Sequence, residues 1–155
     1  MNRKRQIIFV DDETYALQGY KRALEPYANE WDVYFFTTAL DALTFMSQNK
    51  VDVLITDLRM PGMDGIALLE QAIQHFPSVI RMILSGHIEE PSAFRAASLA
   101  HQLIAKPCEI NSIRNSVEET CHLRDMLSDK KLVKLVTGIQ NLPSVPTLYL
   151  SLLKE

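Results

Sequence analysis

Five positions in this sequence carry side chains that could do chemistry together, and each follows an apolar run. Asp11 and Asp12 follow Ile7 to Val10, Asp57 closes the run Val53 to Thr56, Ser85 follows Val79 to Leu84, and Lys106 follows Gln102 to Ala105. Three carboxylates drawn to one place repel each other unless a cation joins them. Oxygen donors without His or Cys favour a hard ion, and an open site with few carboxylates suits Mg²⁺. A carboxylate in such a site can attack a phosphorus atom in line and form an acyl phosphate. The metal and a lysine neutralise charge on the phosphoryl oxygens, and a hydroxyl such as Ser85 can hydrogen-bond one of them. The set holds what a self-phosphorylating aspartate needs and nothing required by a larger reaction.

The elements that must position these residues are legible from periodicity. Ile7 to Val10, Trp31 to Phe36, Val53 to Asp57, Val79 to Leu84 and Gln102 to Ala105 are short and apolar, and mostly rich in β-branched or aromatic residues, as buried strands are. Between them lie helical patterns. The first starts at about Thr14, carries Leu17, Tyr20 and Leu24, and ends at Pro26; the second spans Ala39 to Gln48, with Leu40, Leu43 and Met46 on one side. The third carries Ile66, Leu69 and Ile73 and ends near His75, the fourth spans Ser92 to Ala100, and the fifth starts at Ile110 and carries Ile113, Val117 and Cys121. Strict alternation of strand and helix predicts an α/β fold, a five-stranded parallel doubly wound sheet of the flavodoxin type with helices on both faces and an extended C-terminal helix. Right-handed crossovers then bring every strand tip to one edge, where ligands bind in open α/β sheets.

The whole chain sets bounds on this reading. It has 155 residues, 47% hydrophobic and 23% charged, which suits one ordinary domain with a core and a tail. A formal net charge of -3 gives no reason to expect nucleic-acid binding through a basic surface. Cys108 and Cys121 have no metal-ligand spacing, so a reduced, cytoplasmic protein is the simplest expectation. No run approaches the roughly 20 apolar residues of a membrane helix. No glycine-rich phosphate loop follows the first strand, which argues against a nucleotide-binding module.

Taken together, Asp11-Asp12, Asp57, Ser85, Lys106-Pro107 and the loop Met60-Pro-Gly-Met-Asp-Gly65 closely resemble the receiver domain of bacterial two-component response regulators. The resemblance covers about residues 5 to 125 and implies a phosphorylation-dependent signalling switch rather than an enzyme. It implies that Asp57 accepts a phosphoryl group from a sensor histidine kinase or a phosphotransfer protein, and that Asp12, Asp57 and the backbone carbonyl of Arg59 bind Mg²⁺, with Asp11 helping through water. It further implies that Lys106 pairs with the phosphoryl group, that the bond from Lys106 to Pro107 is cis, and that Ser85 is the switch hydroxyl. One departure stands out: Leu103 occupies the position, three residues before the lysine, where the family usually has Tyr or Phe. Arg59 and His87 flank the expected phosphoryl site, where they could alter water access.

The apolar pattern does not stop with the fifth helix. It continues through Leu123, Met126, Leu127, Leu132 and Val136, either a homodimer seam or a cover for an output domain. Leu142-Pro-Ser-Val-Pro, followed by Leu148 and Leu152-Leu153, resembles the opening of an HDOD domain, a helical output module. The expected division is a receiver at 1–125 and a helical linker with the truncated start of an output domain at 126–155.

Blander readings fit other residues. Asp64, before Gly65 and a helix, is expected to cap that helix. Pro61, Gly62 and Gly65 shape the backbone, Leu103 and Cys121 belong to the core, and His75, His101 and His122 are solvated. Two rivals to a signalling receiver are a pseudo-receiver that only binds and an aspartyl-nucleophile phosphohydrolase. The second needs an acid two residues after the nucleophile, and that residue is Arg59.

Overall fold

The computed structural model of the chain describes residues 3–86 and 91–127. His87, the apolar continuation through Leu132 and Val136, and the stretch resembling an HDOD opening lie outside the described residues.

Five strands alternate with five helices: β1 (Arg5–Val10), α1 (Thr14–Leu24), β2 (Trp31–Phe36), α2 (Ala39–Gln48), β3 (Val53–Asp57), α3 (Gly65–His75), β4 (Ile80–Ser85), α4 (Pro91–Leu99), β5 (Gln102–Ala105) and α5 (Ile110–Leu127). A 3-10 turn at Glu25–Tyr27, built on Pro26, closes α1. All strand pairs are parallel, in the order β2-β1-β3-β4-β5. This is the doubly wound flavodoxin-like sheet the sequence pattern predicts.

Register explains why the functional residues meet. Val10 pairs with Thr56, Asp57 with Leu84, and Ser85 with Ala105. The residues after β1 and β5 therefore arrive level with the last residues of β3 and β4.

Side chains alternate across a strand, and the sheet carries a core on each face. One face packs Ile8, Leu54 and Ile83 under α2, α3 and α4, with Ala39, Ala42, Leu68, Leu69, Ala93 and Ala96. The other packs Ile7, Phe9, Val53, Met82 and Leu84 under α1 and α5, with Leu17, Ile113, Val117 and Cys121. Leu103 packs, partly buried, on the first face, as a core residue should. On the second face the α5 side is strapped to the starts of β1 and β2. Trp31 Nε1 donates to Glu118 Oε1 at 2.9 Å, Arg5 Nε pairs with the same oxygen at 3.3 Å, and the Arg114 guanidinium lies 3.4 Å from the centroid of the Tyr27 ring.

Three expectations are corrected. Leu40 is not on the buried side of α2: it is 66% exposed, and Ala39, Ala42 and Met46 turn inward instead. Ile73 lies at the exposed edge of α3, whose inward stripe is Leu68, Leu69 and Ala72. His101 is not solvated. It is buried, and its Nδ1 accepts a hydrogen bond from the Arg81 backbone N–H at 2.9 Å. His75 and His122 are exposed, as expected. No helix among the described residues is long and apolar enough to cross a membrane.

Candidate functional site

The site begins with two strand tips side by side. Asp11 follows β1 and is buried; its backbone N–H donates to the Phe36 carbonyl at 3.0 Å, so β2 holds it in place. Its Oδ1 accepts from the Glu13 N–H at 2.9 Å, which turns the chain into α1. Asp12, next to it, is exposed. Asp57 ends β3 half-buried. Its Oδ1 accepts from the Leu58 N–H at 2.9 Å, and its carbonyl oxygen accepts from Thr56 Oγ1 at 2.9 Å.

The loop after Asp57 is fixed by its own chemistry. Gly62 adopts a φ of 74°, a left-handed turn that costs glycine little. Asp64 Oδ1 accepts from the Ala67 N–H at 2.9 Å, which is the expected N-cap of α3. Gly65 donates its N–H to the Leu58 carbonyl at 2.9 Å and folds the start of α3 back onto the strand tip. Arg59 is exposed, and with Met60, Pro61 and Asp64 it lines a shallow hollow beside the site.

From β5 comes Lys106. Its Nζ lies 3.2 Å from Asp57 Oδ1 and 3.5 Å from Asp11 Oδ2. Its backbone N–H donates to the Ser85 carbonyl at 2.8 Å, which ties the tips of β4 and β5 together, and its peptide bond to Pro107 is cis. Ser85 is buried at the last position of β4. Tyr20, from α1, stacks on Phe9 with centroids 5.1 Å apart, two residues before Asp11.

The electrostatics follow from this crowding. Burial raises the Asp11 carboxyl above its ordinary value; the Glu13 N–H and Lys106 pull the other way, and Asp57 adds to the rise. Burial alone would lower the Lys106 ammonium, but the carboxylates of Asp57 and Asp11 outweigh it and its pKa is raised. One carboxylate oxygen from each of Asp11, Asp12 and Asp57 lies within 4.8 Å of the others. Three oxygen donors at that spacing, without His or Cys, fit a hard divalent cation.

The fold thus brings Asp11, Asp12, Asp57 and Lys106 together and joins Ser85 to them through the Lys106 backbone. Sequence pattern passes over Arg81 and places His101 in solvent, because the partnership of these two buried residues spans 20 residues with no local signal.

These features define a class. Residues 7–118 match the response regulator receiver domain, and the chain belongs to that family. Such domains are regulatory phosphoacceptors of two-component systems, modified on an aspartate and generally binding Mg²⁺ through an acidic pocket; they usually act with histidine kinases and with their own output domains. Among its relatives is the cyclic di-GMP phosphodiesterase response regulator RpfG of Xanthomonas campestris pv. campestris, 32% identical over 133 residues, covering 81% of this chain and 34% of RpfG. Another is the C4-dicarboxylate transport transcriptional regulatory protein DctD of Rhizobium meliloti, 26% identical over 135 residues, covering 86% of this chain and 29% of DctD. The chain spans about a quarter to a third of the length of these relatives. Among solved structures, the signal receiver domain of an HD domain-containing protein from Pseudomonas fluorescens superposes with a TM-score of 0.70 at 25% identity, covering 76% of this chain and 94% of that one. A response regulator receiver domain protein from Clostridium thermocellum gives 0.71 at 25% identity, covering 79% and 98%.

Proposed function

We propose that Asp57 is the phosphoacceptor of a Mg²⁺-dependent switch. The observation that carries this reading is Lys106 Nζ at 3.2 Å from Asp57 Oδ1, beside three converging carboxylates. A carboxylate oxygen of Asp57 attacks the phosphorus of a phosphohistidine on a sensor kinase or phosphotransfer protein. The P–N bond breaks, the imidazole leaves with its electron pair, and an acyl phosphate forms. Asp12, Asp57 and the Arg59 backbone carbonyl would hold the cation, with Asp11 in support; when bound, Mg²⁺ would supply neutralisation of the charge on the phosphoryl oxygens. Lys106 moves from its carboxylate partners to a phosphoryl oxygen, and the Ser85 hydroxyl donates to another. Leu103 pairs with Ile83 of β4 and packs on the α4 face without a ring or hydroxyl, so the outgoing signal does not use an aromatic relay.

The receiver spans 1–125. Residues 126–155 belong to a linker and the start of an output domain of HDOD type, a reading supported by the sequence stretch Leu142-Pro-Ser-Val-Pro.

Incubation with Mg²⁺ and acetyl phosphate tests the reading. One phosphoryl adduct by intact mass is expected, lost in Asp57→Asn and in buffer with excess chelator. No adduct on the wild type, or an undiminished one on Asp57→Asn, would sink it.

A further inference from the structure

β4 carries Arg81, Ile83 and Ser85 at alternate positions, hence on one face of the sheet, the face covered by α4. Arg81 is an unusual residue for a fully covered strand, since charged side chains are seldom fully buried unless paired. It is 7% exposed. Its Nε donates to the Leu99 carbonyl, the last residue of α4, at 2.9 Å, and its Nη1 donates to the Val79 carbonyl at 3.3 Å. Its backbone completes the grip: the Arg81 N–H donates to His101 Nδ1 at 2.9 Å, and the His101 N–H donates to the Arg81 carbonyl at 2.7 Å. A cation on the terminal carbonyl of a helix also suits the helix dipole.

The rest of α4 is held differently. Its underside is Ala93 and Ala96, small side chains with little to interlock against Ile83 and Leu103. Its sideways tie is the ion pair of Arg95 with Glu70 of α3, exposed at both ends and therefore weak. Charge-assisted hydrogen bonds in a buried place are much stronger. Ser85, the expected partner of the phosphoryl group, stands at the other end of the strand from Arg81.

We infer that α4 is a lever pinned at its C-terminal end by Arg81 and His101, so that phosphorylation moves its N-terminal half while Leu99 to His101 stay in place. This deepens the phosphoacceptor reading and rests on it for the trigger, while the pin itself does not depend on phosphate. It gives the chain a route from the site to its surface that needs no aromatic ring at Leu103.

Hydrogen–deuterium exchange on the 155-residue chain tests this, comparing peptides over 92–96 and 97–101 with and without Mg²⁺ and acetyl phosphate, the adduct being checked by intact mass. In the wild type, phosphorylation should change exchange over 92–96 by about tenfold and leave 97–101 unchanged. In unphosphorylated Arg81→Met, 97–101 should lose about tenfold in protection. Arg81→Lys, which keeps a charge without the guanidinium fork, takes its place if Arg81→Met does not fold, with the same loss expected. Equal changes over 92–96 and 97–101 in adduct-bearing wild type, or full protection of 97–101 in the Arg81 variant, would overturn the inference. A wild type that forms no adduct removes the trigger and so the lever, whereas lost protection in the variant would still establish the pin.

Discussion

The backbone of Gly65 lies against that of Asp57: a Cβ built on Gly65 would overlap the Asp57 carbonyl oxygen and stand 2.9 Å from the Leu58 Cα. Both neighbours are backbone at the tip of a buried strand, and neither can swing aside.

Gly65→Ala is therefore expected to shift the tip that carries the phosphoacceptor. Overpacking of this kind costs about 1–3 kcal/mol, and phosphorylation by acetyl phosphate should slow with it. Gly19 in α1 is the contrast, with nothing within 4 Å of its added Cβ. Gly19→Ala should leave phosphorylation unchanged and stabilise by about 0.5–1 kcal/mol through helix propensity. Denaturant melts and adduct time courses on both variants check this, and equal behaviour would refute it.

Asp11 should oppose folding where the cation is absent. Burial, the largest influence, raises its carboxyl in the folded state. A raised carboxyl stabilises the fold below its unfolded value and loses that contribution as pH rises through the folded value, so at pH 7 the charge works against folding. Asp11→Asn keeps an oxygen for the Glu13 N–H and should melt higher than wild type in chelator. Added Mg²⁺ should raise the wild-type Tm more than that of the variant. A variant that melts lower in chelator would contradict the sign.

His101 is expected to matter for stability despite its distance from the site. Its Nδ1 serves the buried Arg81 N–H. His101→Phe keeps the bulk and leaves that donor without its acceptor, at a cost of about 1–3 kcal/mol. Urea midpoints of His101→Phe against His122→Phe, an exposed control on α5, measure the difference.

The two thiols should differ in reach and in their effect at alkaline pH. Cys121 is buried, and burial chiefly pushes its thiol up to about 11, with Arg5 pulling the other way. Cys108 is half-buried and less protected. A thiolate-selective reagent at pH 8 should label Cys108 first in the native protein. A raised thiol stabilises the fold fully below its unfolded value of roughly 8.5, and that contribution disappears as pH rises to about 11. Cys121→Ala, whatever its constant cavity cost, should show a shallower stability loss across that window.

Much of this was legible in the sequence. Asp57, Asp12, Asp11 and Lys106 each end or follow an apolar run, and parallel strands in register must bring such ends to one edge. The cap at Asp64 and the cis bond before Pro107 were readable from residue type and family pattern. Helix faces were less so. In α2 the spacing of Leu40, Leu43 and Met46 suits helical burial as well as that of Ala39, Ala42 and Met46, and close approach to the sheet selects the alanines. The Arg81–His101 grip had no local signal, because it depends on β4 and β5 being neighbours.

Trp31 is the sole tryptophan of the chain, buried with its indole N–H on Glu118. It pairs with Arg5 at the start of β1, and Asp11 lies beyond the far end of that strand, roughly 16–20 Å away at about 3.3 Å per residue. Its fluorescence is therefore a built-in gauge of whether α5 remains seated on the sheet, blind to ion binding among the aspartates. Titrated with Mg²⁺ it should stay dark to the cation, and any response on phosphorylation would mark a signal that has crossed to the opposite end of the sheet.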